Sequence, residues 1–217
     1  MKANNIWFVI IASAILLQGC ATEQSVVKAS QSPYREMVAQ LTAGKRNVDY
    51  TALRLAYAAT DEYAPYTGAE LKREMFTAFA AHDYLRARSL ADTILRSNFA
   101  DFSAHDVASA AAAELGDAAQ ATFHGTIARG LMQSISSRSG RSLEDAILVI
   151  TGAEEYAFLR VHGWERISQG LGECLGKPCD HLQVRDLKTG EMFDLHFDIS
   201  IPYTWLQKKI GAQCCKR

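Results

Sequence analysis

The sequence predicts an α+β fold in which N-terminal helical hairpins are followed by a small antiparallel β-sheet and a C-terminal helix. Three observations predict it. Between residues 33 and 139 apolar side chains recur at helical spacing. Between Met192 and Ile199 they switch to period two. Two stretches of the helical part, Asp83-x-x-x-Ala87-x-x-x-Ala91 and Asp117-x-x-x-Ala121-x-x-x-Gly125, repeat at a fixed offset.

Before the fold comes a leader. Lys2 precedes an apolar run from Ile6 to Leu17 that ends in Leu17-Gln18-Gly19-Cys20. A run of about a dozen residues is too short to cross a bilayer, where roughly 20 are needed, so residues 1–19 read as a secretory signal. Leu-x-Gly-Cys resembles the bacterial lipobox. That resemblance implies cleavage before Cys20 and acylation of its sulfur and new amino terminus, giving a firm membrane anchor. Ala21 follows, with no Asp as an inner-membrane retention signal, so by the same resemblance the expected location is the outer membrane, facing the periplasm. Residues 20–32, rich in Ser, Gln and Thr, suit a tether between lipid and fold.

The helices are expected in order. Tyr34 to Leu41 and Tyr50 to Ala59 come first, the latter with Leu53, Ala56 and Tyr57 on one face. Thr67-Gly-Ala-Glu70 reads as a capping box opening a helix with Leu71, Met75, Phe76 and Phe79 inward. A fourth helix follows Asp83, a fifth is capped by Ser103-Ala-His-Asp106, and a sixth begins at Asp117 with Phe123, Ile127, Leu131 and Ile135 inward. The 34-residue offset between Asp83 and Asp117 is the tetratricopeptide period. Its signature aromatic and Pro positions are poorly matched, so the repeats read as degenerate, and a plain helical bundle accounts for the spacing equally well. His124 adjoins an apolar stripe and reads as a hydrogen-bonded core histidine.

Residues 140–210 are expected to form a mixed region. Ile147 to Thr151 is a β-branched run, and Glu154 to Val161 a short helix. Leu182 and Val184 alternate with polar neighbours, Lys188-Thr-Gly190 supplies a turn, and Phe193, Leu195, Phe197 and Ile199 form one buried face. Pro202 should end that strand before an amphipathic helix carrying Tyr203, Trp205, Leu206 and Ile210. Residues 211–217 form a basic tail.

With 23 Lys and Arg against 24 Asp and Glu, the chain has no charge excess for nucleic acid. After lipidation Cys174, Cys179, Cys214 and Cys215 remain. The first two enclose Leu-Gly-Lys-Pro, a turn sequence, and in an oxidising compartment they are expected to form a local disulfide. Together with His181 and His196 they offer tetrahedral zinc ligands, but the disulfide competes for both thiols, so neither metal nor cofactor is expected.

Four motifs in order, Tyr50-Thr-x-Leu53-Arg54-x-x-Tyr57, Tyr63-x-Pro65-Tyr66, Glu154-Glu155-Tyr156-x-x-Leu159-Arg160 and Asp198-Ile-Ser-Ile-Pro202-Tyr-x-Trp205-Leu206, span nearly the whole mature chain. In them the sequence resembles an uncharacterised bacterial lipoprotein family, domain of unknown function 4919. The resemblance implies no activity, ligand or catalytic residue.

No Gly-x-Ser-x-Gly elbow, His-Glu-x-x-His helix or Walker loop occurs in the sequence. Gly170-Leu-Gly172-Glu-Cys-Leu-Gly176 has its third glycine one place late for a dinucleotide loop and reads as a flexible loop. Two candidate surfaces remain. Arg54, Tyr57, Tyr63 and Tyr66 have the chemistry of a binding groove. Asp194, His196 and Asp198 project from one strand face opposite the apolar one, where they read either as a solvated face or as a polar site for a base or cation. The favoured expectation is a non-enzymatic module that binds an envelope protein or peptide. The alternative is a periplasmic hydrolase, or a metal- or small-ligand-binding protein, using the His196 face.

Overall fold

Five helices start where a short side chain accepts from their first free backbone N–H groups. In the computed structural model, which describes residues 32–45 and 47–214, Ser32 caps α1 (Pro33–Thr42) and Asp49 caps α2 (Tyr50–Ala58). Asp83 caps α4 (Tyr84–Ser97), Asp101 caps α5 (Phe102–Glu114), and Asp117 caps α6 (Ala118–Ile135). Cys20, the assigned signal, the tether up to residue 31, and Cys215 lie outside the described residues.

Two expected caps move. α3 (Ala69–Ala80) is preceded by Gly68 in the left-handed conformation, at φ 79°, with no side-chain cap. Thr67 instead donates its hydroxyl to Ala64 O at 2.9 Å. Starting the helix one residue later takes Glu70 out of the third helical position, so the capping box cannot close. α5 starts before Ser103 because the Asp101 carboxylate accepts from Ala104 N at 3.0 Å. Ser103 and Asp106 therefore lie inside the helix.

The 34-residue offset has a geometric counterpart. His82 and Gly116 both occupy positive φ, at 60° and 77°. Asp83 N donates to Ala78 O at 2.9 Å, and Asp117 N to Ala112 O at 2.8 Å. The two inter-helix turns thus close with the same hydrogen bond at equivalent positions. Small residues set the packing distance: a Cβ on Gly125 would stand 2.8 Å from Ser109 Oγ, and one on Gly130 would stand 2.2 Å from the Tyr50 ring.

The C-terminal region builds a four-stranded sheet in the order β1-β4-β3-β2, from β1 (Ile147–Leu148), β2 (Trp164–Cys174), β3 (Lys177–Asp186) and β4 (Met192–Asp198). β2, β3 and β4 are antiparallel. β1 runs parallel to β4, so the sheet is mixed rather than purely antiparallel. The expected flexible loop around Gly170 is instead part of β2, an edge strand exposed along most of its length. An edge strand with two glycines shows no apolar alternation, and only its ladder to β3 makes it a strand. Leu175 and Gly176, at φ 51° and 78°, form the two-residue turn between β2 and β3, placing Lys177 and Pro178 in β3. Asp186 Oδ1 accepts from Lys188 N and Thr189 N to shape the next turn.

Leu182, Val184, Leu195, Phe197 and Ile147 form the sheet's inner face. They pack with Leu41, Leu53, Tyr57, Ile127, Leu131 and Ile135 of the helices and Phe158 and Leu159 of α7 (Gly152–His162). A second cluster, including Met75, Ala87, Ala91, Ile94 and Val107, joins α3, α4 and α5. Chain sections that differ in periodicity therefore share one core and one compact unit. Pro202 sits in the first turn of α8 (Ser200–Cys214), where its missing N–H costs nothing. No helix among the described residues is long and apolar enough to cross a membrane.

Candidate functional site

The α2–α3 connection, α3, the start of α5 and α7 enclose a groove of about 830 Å³. Its aromatic walls are Tyr57, Tyr66, Phe76 and Tyr156. Its charged lining residues are Lys72, Arg73 and Arg160 against Asp101 alone. Lys72 Nζ lies 2.6 Å from Asp101 Oδ2, so that pair is self-compensated. The Arg160 guanidinium stands 5.0 Å from the Phe76 ring centroid and 3.7 Å from Asp106 Oδ2, with its side chain 43% exposed. It offers donors to an incoming group while its planar face rests on an aromatic ring. Tyr66, 52% exposed, is supported from behind by Trp205, with ring centroids 6.0 Å apart.

Of the four expected groove residues, Tyr57 and Tyr66 line it and the other two do not. Arg54 is buried. It donates from Nε to Glu154 Oε1 at 2.8 Å, from Nη2 to Glu154 Oε2 at 2.6 Å and to Leu148 O at 2.9 Å, and from Nη1 to Ser134 Oγ at 3.2 Å. A charged side chain so enclosed is a structural clamp, and none of its donors faces the groove. Tyr63 is also buried and donates its hydroxyl to Ile150 O. Burial, followed by the Glu154 charge, pushes its phenol well above the usual range.

Behind the groove lies a carboxyl that sequence reasoning passed over. Glu155 is 1% exposed, and its pKa is pushed up to about 8, first by burial and then by the charges of Asp180 and Glu154, with Arg166 opposing. Gln169 bridges it to Asp180, donating at 3.4 Å and 2.8 Å respectively. Tyr156 donates to Gln169 Oε1 at 2.9 Å, and Arg166 donates to both. The same two carboxyls, after burial, raise the Tyr66 phenol, which ties this network to the groove wall. Two adjacent glutamates on a helix give no sequence signal for which one turns inward. Glu154 takes Arg54, and Glu155 is left with a neutral amide.

The outer face of the sheet is less uniform than expected. Asp194 is exposed, His196 half-buried, and Asp198 buried at 7% exposure. Asp198 accepts from Ser200 N at 3.0 Å and lies 3.5 Å from Lys177 Nζ, so it ties strand to helix and does not share a site with His196. His196 pairs across the strands with His181, with 2.7 Å between the Nδ1 atoms. Burial and then His181 lower its pKa, opposed by Asp194 and Glu144. Cys174 and Cys179 are disulfide-bonded on the same face, buried against Ala146.

His124 is buried and pairs with His105 through Nδ1 atoms 2.9 Å apart, while His105 Nε2 reaches Phe99 O at 2.9 Å. Burial, then the nearby His124, lowers the His105 pKa to about 3. The pair is a neutral core contact. No protein-family model, curated protein or solved structure matches the chain.

Proposed function

We propose that this chain is a lipid-anchored envelope protein without catalytic activity of its own, held through Cys20 at the outer membrane and facing the periplasm. On this reading its groove binds an extended acidic segment of another envelope protein. The observation that carries the reading is the groove itself. A volume of about 830 Å³ with aromatic walls, in which Lys72 is matched by Asp101 while Arg73 and Arg160, ion-paired with the exposed carboxylates Glu70 and Asp106, can still offer donors, fits a peptide that buries apolar side chains and presents carboxylates. Tyr and Arg lose little conformational freedom for the contact area they offer, and they dominate binding hot spots. The anchor rests on the Leu17-Gln18-Gly19-Cys20 sequence, and the near balance of charge argues against a nucleic-acid partner.

A photo-crosslinking residue placed at Tyr66 in cells tests the reading. A discrete adduct is expected that disappears when Arg160→Glu is added. Adducts no different from those at Leu85, an exposed α4 residue outside the groove, would overturn it.

A further inference from the structure

The outer sheet face brings together three side chains with metal-ligating chemistry. His181 and His196 stand opposite one another on β3 and β4, and each offers a ring nitrogen within 4.8 Å of the other and of Cys174 Sγ. Two imidazole nitrogens bound tetrahedrally to one ion at about 2.1 Å lie about 3.4 Å apart, so the Nδ1 atoms, hydrogen-bonded at 2.7 Å, need open by only about 0.7 Å to take an ion between them. Bringing the sulfur to a bond of about 2.3 Å requires a closure of only about 1 Å.

The strand opposite is built to leave room. A Cβ on Gly172 would stand 2.5 Å from His181 Nε2, so only glycine lets that ring lie where it does. Above Gly170, which pairs with His181, a Cβ would meet nothing within 4 Å. The imidazoles are therefore positioned by the backbone and approachable from solvent over Gly170. What is missing is the third donor, because the Cys174 sulfur is bonded to Cys179.

We propose that His181, His196 and Cys174 form a site for one divalent transition-metal ion of the zinc class, gated by the Cys174–Cys179 disulfide. In the disulfide state only the two imidazoles are offered, and binding is weak. A dithiol reductant opens the gate. It transfers two electrons and two protons to the disulfide, leaving two thiols and becoming a disulfide itself. The metal then displaces the Cys174 thiol proton to solvent and takes the thiolate as third protein ligand, with the fourth tetrahedral position open. Cys179 lies outside the set formed by Cys174, His181 and His196 and belongs to the gate.

That asymmetry supplies the test. In the full mature chain with Cys214→Ser and Cys215→Ser, the variants Cys179→Ser and Cys174→Ser each abolish the disulfide. Only the first frees the proposed ligand. Titration with Co²⁺, read by thiolate-to-cobalt charge-transfer absorption and by Zn²⁺ competition, should give one equivalent with a charge-transfer band in Cys179→Ser. Binding there should be at least about tenfold tighter than in the disulfide form, and it should weaken by about tenfold or more on His181→Ala or His196→Ala. Cys174→Ser should give no such band. Equal bands in the two serine variants, or no binding by a Cys179→Ser protein of unchanged helical content, would overturn the proposal. Should Cys179→Ser fail to fold, anaerobic titration of the dithiol-reduced chain replaces it, with a charge-transfer band expected and its absence decisive against the site.

Discussion

Arg54 and Glu154, 100 residues apart in sequence, meet in a buried two-pronged ion pair that ties α2 to the start of α7. The Glu154 carboxylate also accepts from Ile150 N at 2.8 Å, and the guanidinium reaches Leu148 O and Ser134 Oγ. One pair thus joins both helices, the β1 strand and α6.

Arg54→Ala should destabilise the chain by about 3–5 kcal/mol in denaturant unfolding, because it strands the Glu154 carboxylate without a counter-charge. Replacing both partners with Leu should recover most of that loss. A double variant as unstable as Arg54→Ala alone would show that the pair contributes through packing and not through charge compensation.

Glu155→Gln should change how stability depends on pH. The folded pKa, about 8, lies above the ordinary glutamate value of 4.5, so between these limits the folded state holds a proton that the unfolded chain has released. Stability is therefore fully present below pH 4.5 and falls as pH rises towards 8, by an amount on the order of 2–4 kcal/mol. Thermal unfolding of Glu155→Gln at a series of pH values should show a flatter profile over that window. An unchanged slope would mean that the carboxyl is ionised in the fold.

The two faces of β4 should respond unequally. Phe197→Ala removes a fully buried ring and should cost about 3–5 kcal/mol, whereas exposed Asp194→Ala should stay within about 0.5 kcal/mol. Asp198→Ala should fall between, at about 1–3 kcal/mol, since it leaves Ser200 N and Lys177 without their acceptor. Equilibrium unfolding of the three single variants checks the order.

Cys20→Ala should release the protein from membranes, since the acyl chains would supply nearly all its membrane affinity. Detergent partitioning and labelled fatty-acid uptake read this. A mutant that still enters the detergent phase, with no label on the wild type, would remove the anchor.

The sequence alone determined much of the secondary structure. Asp83 and Asp117 cap their helices because a carboxylate beside free N–H groups acts locally. Period two placed Leu195 and Phe197 inward because adjacent side chains in a strand must point to opposite faces. Tertiary structure decided what depends on partners distant in sequence. β2 is a strand only because β3 lies beside it. Of two adjacent glutamates, Glu154 received an arginine and Glu155 a glutamine. Arg54 turned from a candidate groove residue into a clamp, and His181 met His196 across a ladder whose register no local pattern specifies. Helix caps and strand alternation are energies between near neighbours in the chain. Burial and ion pairing depend on which surfaces meet once the chain is closed, and a linear pattern does not contain that information.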